Sequence, residues 1–239
     1  MPDRPLPQAD PPVGLWMSIP IFYEDNHVLV AQKPVNMLSQ ADRTGDGDIL
    51  SALKEYIREK YRKPGEVYLG LVHRLDRPVG GLMVFARTSK AAARLSAQFQ
   101  THAANRQYLC VCEGELPPEV TLTDWLLKDK RFNQVSAVPE GTPGAQRAVL
   151  HAERLAFSEG LSLCAVRLET GRSHQIRVQL AAAGHPLWGD NRYGHGRPGQ
   201  TVALFGYRLT FTHPVKQTEL TFTAAPKGEI WERLMGDGR

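Results

Sequence analysis

The sequence predicts an α+β protein built on a mixed, largely antiparallel central sheet with flanking helices. Two observations carry that class. Strand-like and helix-like segments interleave from residue 20 onward without the regular alternation of a βαβ repeat. Near the C-terminus, Tyr207–Thr212 and Glu219–Thr223 alternate apolar and polar residues around a His213-Pro214 turn region, the pattern of an antiparallel hairpin. A chain of 239 residues can bury a substantial core as one domain.

The elements follow in order. Residues 1–14, with their prolines and aspartates, read as a flexible tail ahead of a domain spanning 15–239. Residues 20–31 give two short extended pieces around the turn signal Glu24-Asp25-Asn26, and Lys33-Pro34 ends the second. A helix starts after Asp48, a suitable N-cap, with Ile49, Leu50, Leu53, Tyr56 and Ile57 on one stripe and Pro64-Gly65 as its stop. Gly81–Ala86 is an apolar run, read as a buried strand. Thr88-Ser89 then caps a helix carrying Ala92, Leu95, Phe99 and His102. Arg106–Gly114 reads as a strand. Residues 114–147, with four prolines and little periodicity, fit a flap or an extended hairpin. Arg147–Leu155 and Leu161–Leu168 read as strands. Ser173 is placed as the cap of a helix running to Ala183, with Gly184 as its stop.

Composition excludes several classes. No stretch approaches the ~18 apolar residues of a membrane span, and the N-terminus lacks a signal peptide's apolar core. Cys110, Cys112 and Cys164 make neither a disulfide framework nor a zinc pattern, so a reducing, cytoplasmic setting is expected. The net charge of +4 is unevenly spread: Lys54 to Arg106 holds eleven Lys/Arg against four Asp/Glu, a local +7. A basic surface of that kind suits a polyanion, most simply nucleic acid, although a solvated helix face has the same signature.

Within that window lies His73-Arg74-Leu75-Asp76-Arg77. A loop carboxylate beside two arginines is either a structural ion pair or a catalytic carboxylate in a cationic cleft, able to act as nucleophile or general base. A second polar concentration is Thr170-Gly171-Arg172-Ser173-His174-Gln175-Ile176-Arg177, where His174 and Arg177 share a helix face. Tyr108 opens a strand of small apolar residues and is either packing or a face on which a base stacks. There is no Gly-x-x-x-x-Gly-Lys loop and no Gly-x-Ser-x-Gly elbow. The histidines lack metal-ligand spacing, so neither metal nor organic cofactor is expected.

Taken together these blocks resemble the RluA-type RNA pseudouridine synthases. His73–Pro78 with Gly81–Arg87 is similar to that family's signature, and Arg106-Gln107-Tyr108-Leu109 to its tyrosine-bearing strand. Thr170–Val178, Gly184-His185-Pro186-Leu187, Gly189-Asp190 and Tyr193-Gly194 resemble its third motif, and Leu209–Pro214 fits the closing one. Val79-Gly80, Ser173 and Gln179 depart from the commoner residues. The resemblance implies the pseudouridine synthase fold with a catalytic cleft, no separate S4-like domain, and isomerisation of uridine in ribosomal or transfer RNA without cofactor or metal. It implies Asp76 as nucleophile, Arg177 as the cation that keeps it ionised, and Tyr108 as a third catalytic residue that stacks on the uracil and helps remove the final proton. Arg74 and Ile176 become substrate-binding residues, Arg74 entering the RNA where a nucleotide has flipped. A monomer with no obligate protein partner is expected. A catalytically inert RNA-binding module on the same fold is the alternative.

Overall fold

The computed structural model describes residues 15–236; the expected tail at 1–14 lies outside them. Eleven strands form one sheet: β1 (Ile21–Glu24), β2 (Val28–Lys33), β3 (Gly70–Leu71), β4 (Gly80–Ala86), β5 (Asn105–Glu113), β6 (Glu119–Asp129), β7 (Gln134–Val138), β8 (Gln146–Ser158), β9 (Leu161–Leu168), β10 (Leu204–Thr212) and β11 (Glu219–Thr223). Their spatial order is β1-β2-β4-β10-β5-β9-β8-β6-β7, with β11 on β10 and β3 on β4. The β4–β10 pair is parallel and every other strand pair antiparallel, as a mixed, largely antiparallel sheet requires. The helices are α1 (Ile49–Lys60), α2 (Ser89–Gln100), α3 (Gln175–Ala182) and α4 (Glu229–Met235), after a short 3-10 turn at Leu15–Ser18. None is long and apolar enough to cross a membrane.

Strand β4 shows why the middle of the sheet forms. All its residues are buried, so it reads as a continuous apolar run. Its even and odd positions feed different cores: Met83 and Phe85 pack with α1, and Leu82 and Val84 with α2. A fully buried side chain of this size contributes about 1.5–3 kcal/mol. Where β4 meets β10, Gly81 takes φ +137, and a Cβ there would lie 2.5 Å from the Gly206 nitrogen. Only glycine permits so close a crossing.

Caps follow the chemistry read from the sequence at α1 and α2. Asp48 accepts from the Ser51 N–H at 2.9 Å, and Thr88 from the Ala91 N–H at 3.1 Å. Helix α1 ends at Lys60, before Pro64-Gly65, and His102 falls outside α2 with φ +57. The start of α3 differs more. Ser173 does not cap it; the cap position is His174, in the left-handed region at φ 53. The orphan N–H of Arg172 is instead taken by the Gln175 side chain, whose Oε1 also accepts from Thr170 Oγ1 and whose Nε2 donates to the Val149 carbonyl. Ala183, expected to end the helix, is exposed, while Ile176 and Leu180 enter the main core.

Residues 114–147 resolve as the hairpin alternative. Strands β6 and β7 pair from Trp125↔Val138 to Asp129↔Gln134. The tip carries Lys128, Lys130 and Arg131 beside an exposed Phe132.

Candidate active site

The loop from His73 to Val79 is held from three sides. Ser39 Oγ donates to the Leu75 carbonyl at 2.7 Å and accepts from the Leu75 N–H at 3.1 Å. The Val84 N–H donates to His73 Nε2 at 3.1 Å. Lys33, fully buried at the end of β2, donates from Nζ to the carbonyls of Pro34, Met37 and Arg77. Burial pushes the Lys33 ammonium down to about 7, against the pull of Asp76 and with a further push from Arg77. Leu75 is buried as a plug, so its neighbour Asp76 projects into a cleft with its side chain 31% exposed.

Neither of the pentapeptide's own cations pairs with Asp76. Arg77 pairs with Asp46 at 2.6 Å and Arg74 is exposed. The groups that face Asp76 come from α3: Arg177 Nη1 lies 3.8 Å and His174 Nε2 3.9 Å from Asp76 Oδ2. Arg177 is itself anchored by Asp190, which accepts from Nε and Nη2 at 2.7 Å each. Asp190 Oδ1 also accepts the N–H groups of Arg192 and Tyr193. Burial raises the Asp190 carboxyl, but the Arg177 fork and those N–H groups outweigh it and hold it low.

His174 forms the second arm. Its Nδ1 lies 2.6 Å from the Tyr193 hydroxyl, which accepts from the Val135 N–H at 3.0 Å. In the tautomer where Tyr193 donates to Nδ1, the ring's own proton sits on Nε2, the nitrogen nearer Asp76. Burial lowers the imidazole's pKa, although Asp76 pulls it up, so the ring faces the carboxylate neutral near pH 7. A non-glycine residue at positive φ stores strain of a kind that clusters at functional sites.

Tyr108, on β5, is buried between Val166 and Gly206 in register. Burial, and secondarily Asp76, raises its phenol. One cleft brings together all five residues singled out from the sequence: Asp76, Tyr108, Arg177, Arg74 and Ile176. A roomier concavity of about 560 Å³ lies over the face carrying Gln107, the other side of the strand from Tyr108. Among its polar groups, His151 pairs with Thr121 and with Glu169 nearby, and Gln107 accepts from Tyr207.

The hairpin is tied to this cleft. Arg192 donates to the Asn133 carbonyl, Lys128 Nζ to Ser173 Oγ, and Gln179 Nε2 to Asp124 on β6. Sequence reasoning placed His174 on the face of Arg177 without giving it a role and gave Lys33 and Asp190 none. The available signals were a lysine ending an apolar strand and an aspartate after Gly189 in the third motif. No group of metal-ligating side chains occurs among the described residues.

A sheet with its central parallel crossing, and a carboxylate faced by a fixed guanidinium, define the class. The family model for RNA pseudouridylate synthase matches residues 27–182. Ribosomal large subunit pseudouridine synthase D of Zymomonas mobilis is 33% identical over 234 residues, covering 93% of this chain and 74% of that one. The tRNA pseudouridine synthase C of Yersinia pestis is 31% identical, over 90% of this chain and 89% of its own. Human RNA pseudouridylate synthase domain containing 4 shares the fold, with a TM-score of 0.71 at 20% identity over 86% of this chain and 87% of its own. The chain belongs to the RNA pseudouridylate synthase family and is an enzyme of the isomerase class.

Proposed function

We propose that this chain isomerises specific uridines in structured ribosomal or transfer RNA to pseudouridine, with Asp76 as nucleophile on a flipped-out nucleotide. The observation that carries the reading is the half-exposed Asp76 carboxylate facing Arg177, whose own position is fixed by Asp190. A carboxylate so placed faces a fixed cation while retaining lone pairs for attack.

Asp76 attacks the sugar or the base as the bond from C1′ to N1 breaks. The freed uracil turns, C5 bonds to C1′ and the bond to Asp76 is released; the proton on C5 leaves to solvent and N1, freed from the sugar, takes one up. Tyr108 offers the face on which uracil stacks, and Ile176 the apolar wall beside it. Arg74, exposed beside the cleft, fills the gap left in the RNA. Flipping costs a few kcal/mol, least in unpaired segments; phosphate contacts from the basic window offset it. The names of the relatives, acting on ribosomal and transfer RNA, support that substrate class. The basic window and the Asp76 cleft lie in one domain, working as a cytoplasmic monomer without a cofactor.

The test is tritium release from C5 of tritiated-uridine RNA, combined with pseudouridine mapping in total RNA from cells with and without the gene. Release, and loss of a defined pseudouridine without the gene, are expected. Tight RNA binding with no release would favour an inert RNA-binding module.

A further inference from the structure

We propose that Arg106 is a preformed clamp for a phosphodiester of the bound RNA strand, adjacent to the nucleotide held in the Asp76 cleft. The inference rests on the reading of that cleft as an RNA site. Arg106 stands two residues before Tyr108 on β5, so both side chains leave the same face of the strand. Both line the cleft.

Two features fix the guanidinium. On one side its Cζ lies 5.4 Å from the centroid of Phe99, whose ring in turn stacks on His73 at 4.5 Å with planes 28° apart. The stack therefore ends on the loop that carries Asp76. On the other side is Gly171. A Cβ there would lie 2.9 Å from Arg106 Nη2, and Gly171 is not among the positive-φ glycines. What glycine supplies at 171 is room for the guanidinium rather than backbone freedom.

Arg77, Arg87 and Arg177 have carboxylates, Asp46, Glu24 and Asp190, whereas Arg74 and Arg172, which line the cleft with Arg106, have none among the described residues. Half-buried Arg106 has none among the described residues; its ring contact with Phe99 is what holds it. Its field still acts on the cleft, helping to keep His73 neutral and opposing Asp76 at the Tyr108 phenol. Uracil and ribose are uncharged, so the anion that completes this site is a phosphate of the strand. A planar fork held against a ring face suits two phosphate oxygens at once.

The test measures RNA binding against salt in an Asp76→Asn background, which separates binding from turnover, with unmodified ribosomal and transfer RNA transcripts as probes. Arg106→Gln should weaken binding about tenfold and reduce the slope of log K against log salt by about 0.7–0.9, the loss of one phosphate contact. Arg106→Lys should retain the slope. Gly171→Ala keeps the charge but displaces the fork, so it should weaken binding alone and add nothing in the Arg106→Gln background. An Arg106→Gln protein with unchanged affinity and slope, even if its melting temperature falls, overturns the proposal and leaves Arg106 as a structural member of the Phe99–His73 stack. Absence of tritium release by the wild type would sink the isomerase reading instead, and the salt comparison would still decide the role of Arg106.

Discussion

Arg177 binds Asp190 through two guanidinium nitrogens at 2.7 Å each and turns only Nη1 toward Asp76, at 3.8 Å. Asp190 thus sets the position of the cation that faces the cleft carboxylate. Both partners are buried, so their pairing is a matter of desolvation as much as attraction.

Replacing Asp190 with Asn leaves Arg177 buried without its counter-charge. The expected cost is about 3–5 kcal/mol, read by urea denaturation, with a loss of tritium release well beyond what the reduced folded fraction explains. Wild-type stability in the variant would mean the pair is dispensable.

The stack under the Asp76 loop makes stability pH-dependent. Burial, and secondarily Arg106, pushes the His73 imidazole down to about 3 from an ordinary 6.5. Between those values the unfolded chain binds the proton and the folded one does not. Stability from this group is therefore complete above 6.5 and falls as pH drops toward 3, at up to about 1.4 kcal/mol per pH unit. His73→Gln retains an acceptor for the Val84 N–H but cannot titrate. From pH 7 to pH 5 the wild type should lose about 2 kcal/mol more than this variant; parallel losses would show that His73 does not carry the acid limb.

Tyr193 joins the hairpin to the cleft through one oxygen, shared by the Val135 N–H and His174 Nδ1. Tyr193→Phe should cost about 1–3 kcal/mol and speed amide exchange at Val135 and its β7 neighbours. Unchanged exchange would show that Arg192 and Lys128 suffice to dock the hairpin.

Ser39 holds the residue before Asp76 by both its backbone groups. Ser39→Ala should cost about 1–3 kcal/mol and lower kcat more than it raises KM, because it loosens the orientation of Asp76 rather than the RNA contacts. An effect confined to KM would contradict that.

The elements that local chemistry determines were legible in the sequence. The all-apolar run of β4 and the caps Asp48 and Thr88 needed no distant partner. The start of α3 did not read correctly, because its first turn is stabilised by Gln175 reaching Val149 on β8, a contact no local window contains. Strand β3, with two residues, is too short for any periodicity. In the cleft, the residues of the first and third motifs were readable, but the partner of Arg177 was not. Asp190 lies thirteen positions away, beyond the helix end, and only the fold turns it back. Lys33 likewise read as the end of a strand, since its three carbonyl partners include Arg77, forty-four positions on.

The most direct measurement compares wild type and Asp76→Asn for tritium release from C5 of tritiated-uridine RNA under single-turnover conditions, with RNA affinity measured in parallel. The expected result is release by the wild type, none above background by Asp76→Asn, and comparable RNA binding by both. Equal release by the two proteins would contradict the assignment of Asp76 as the nucleophile.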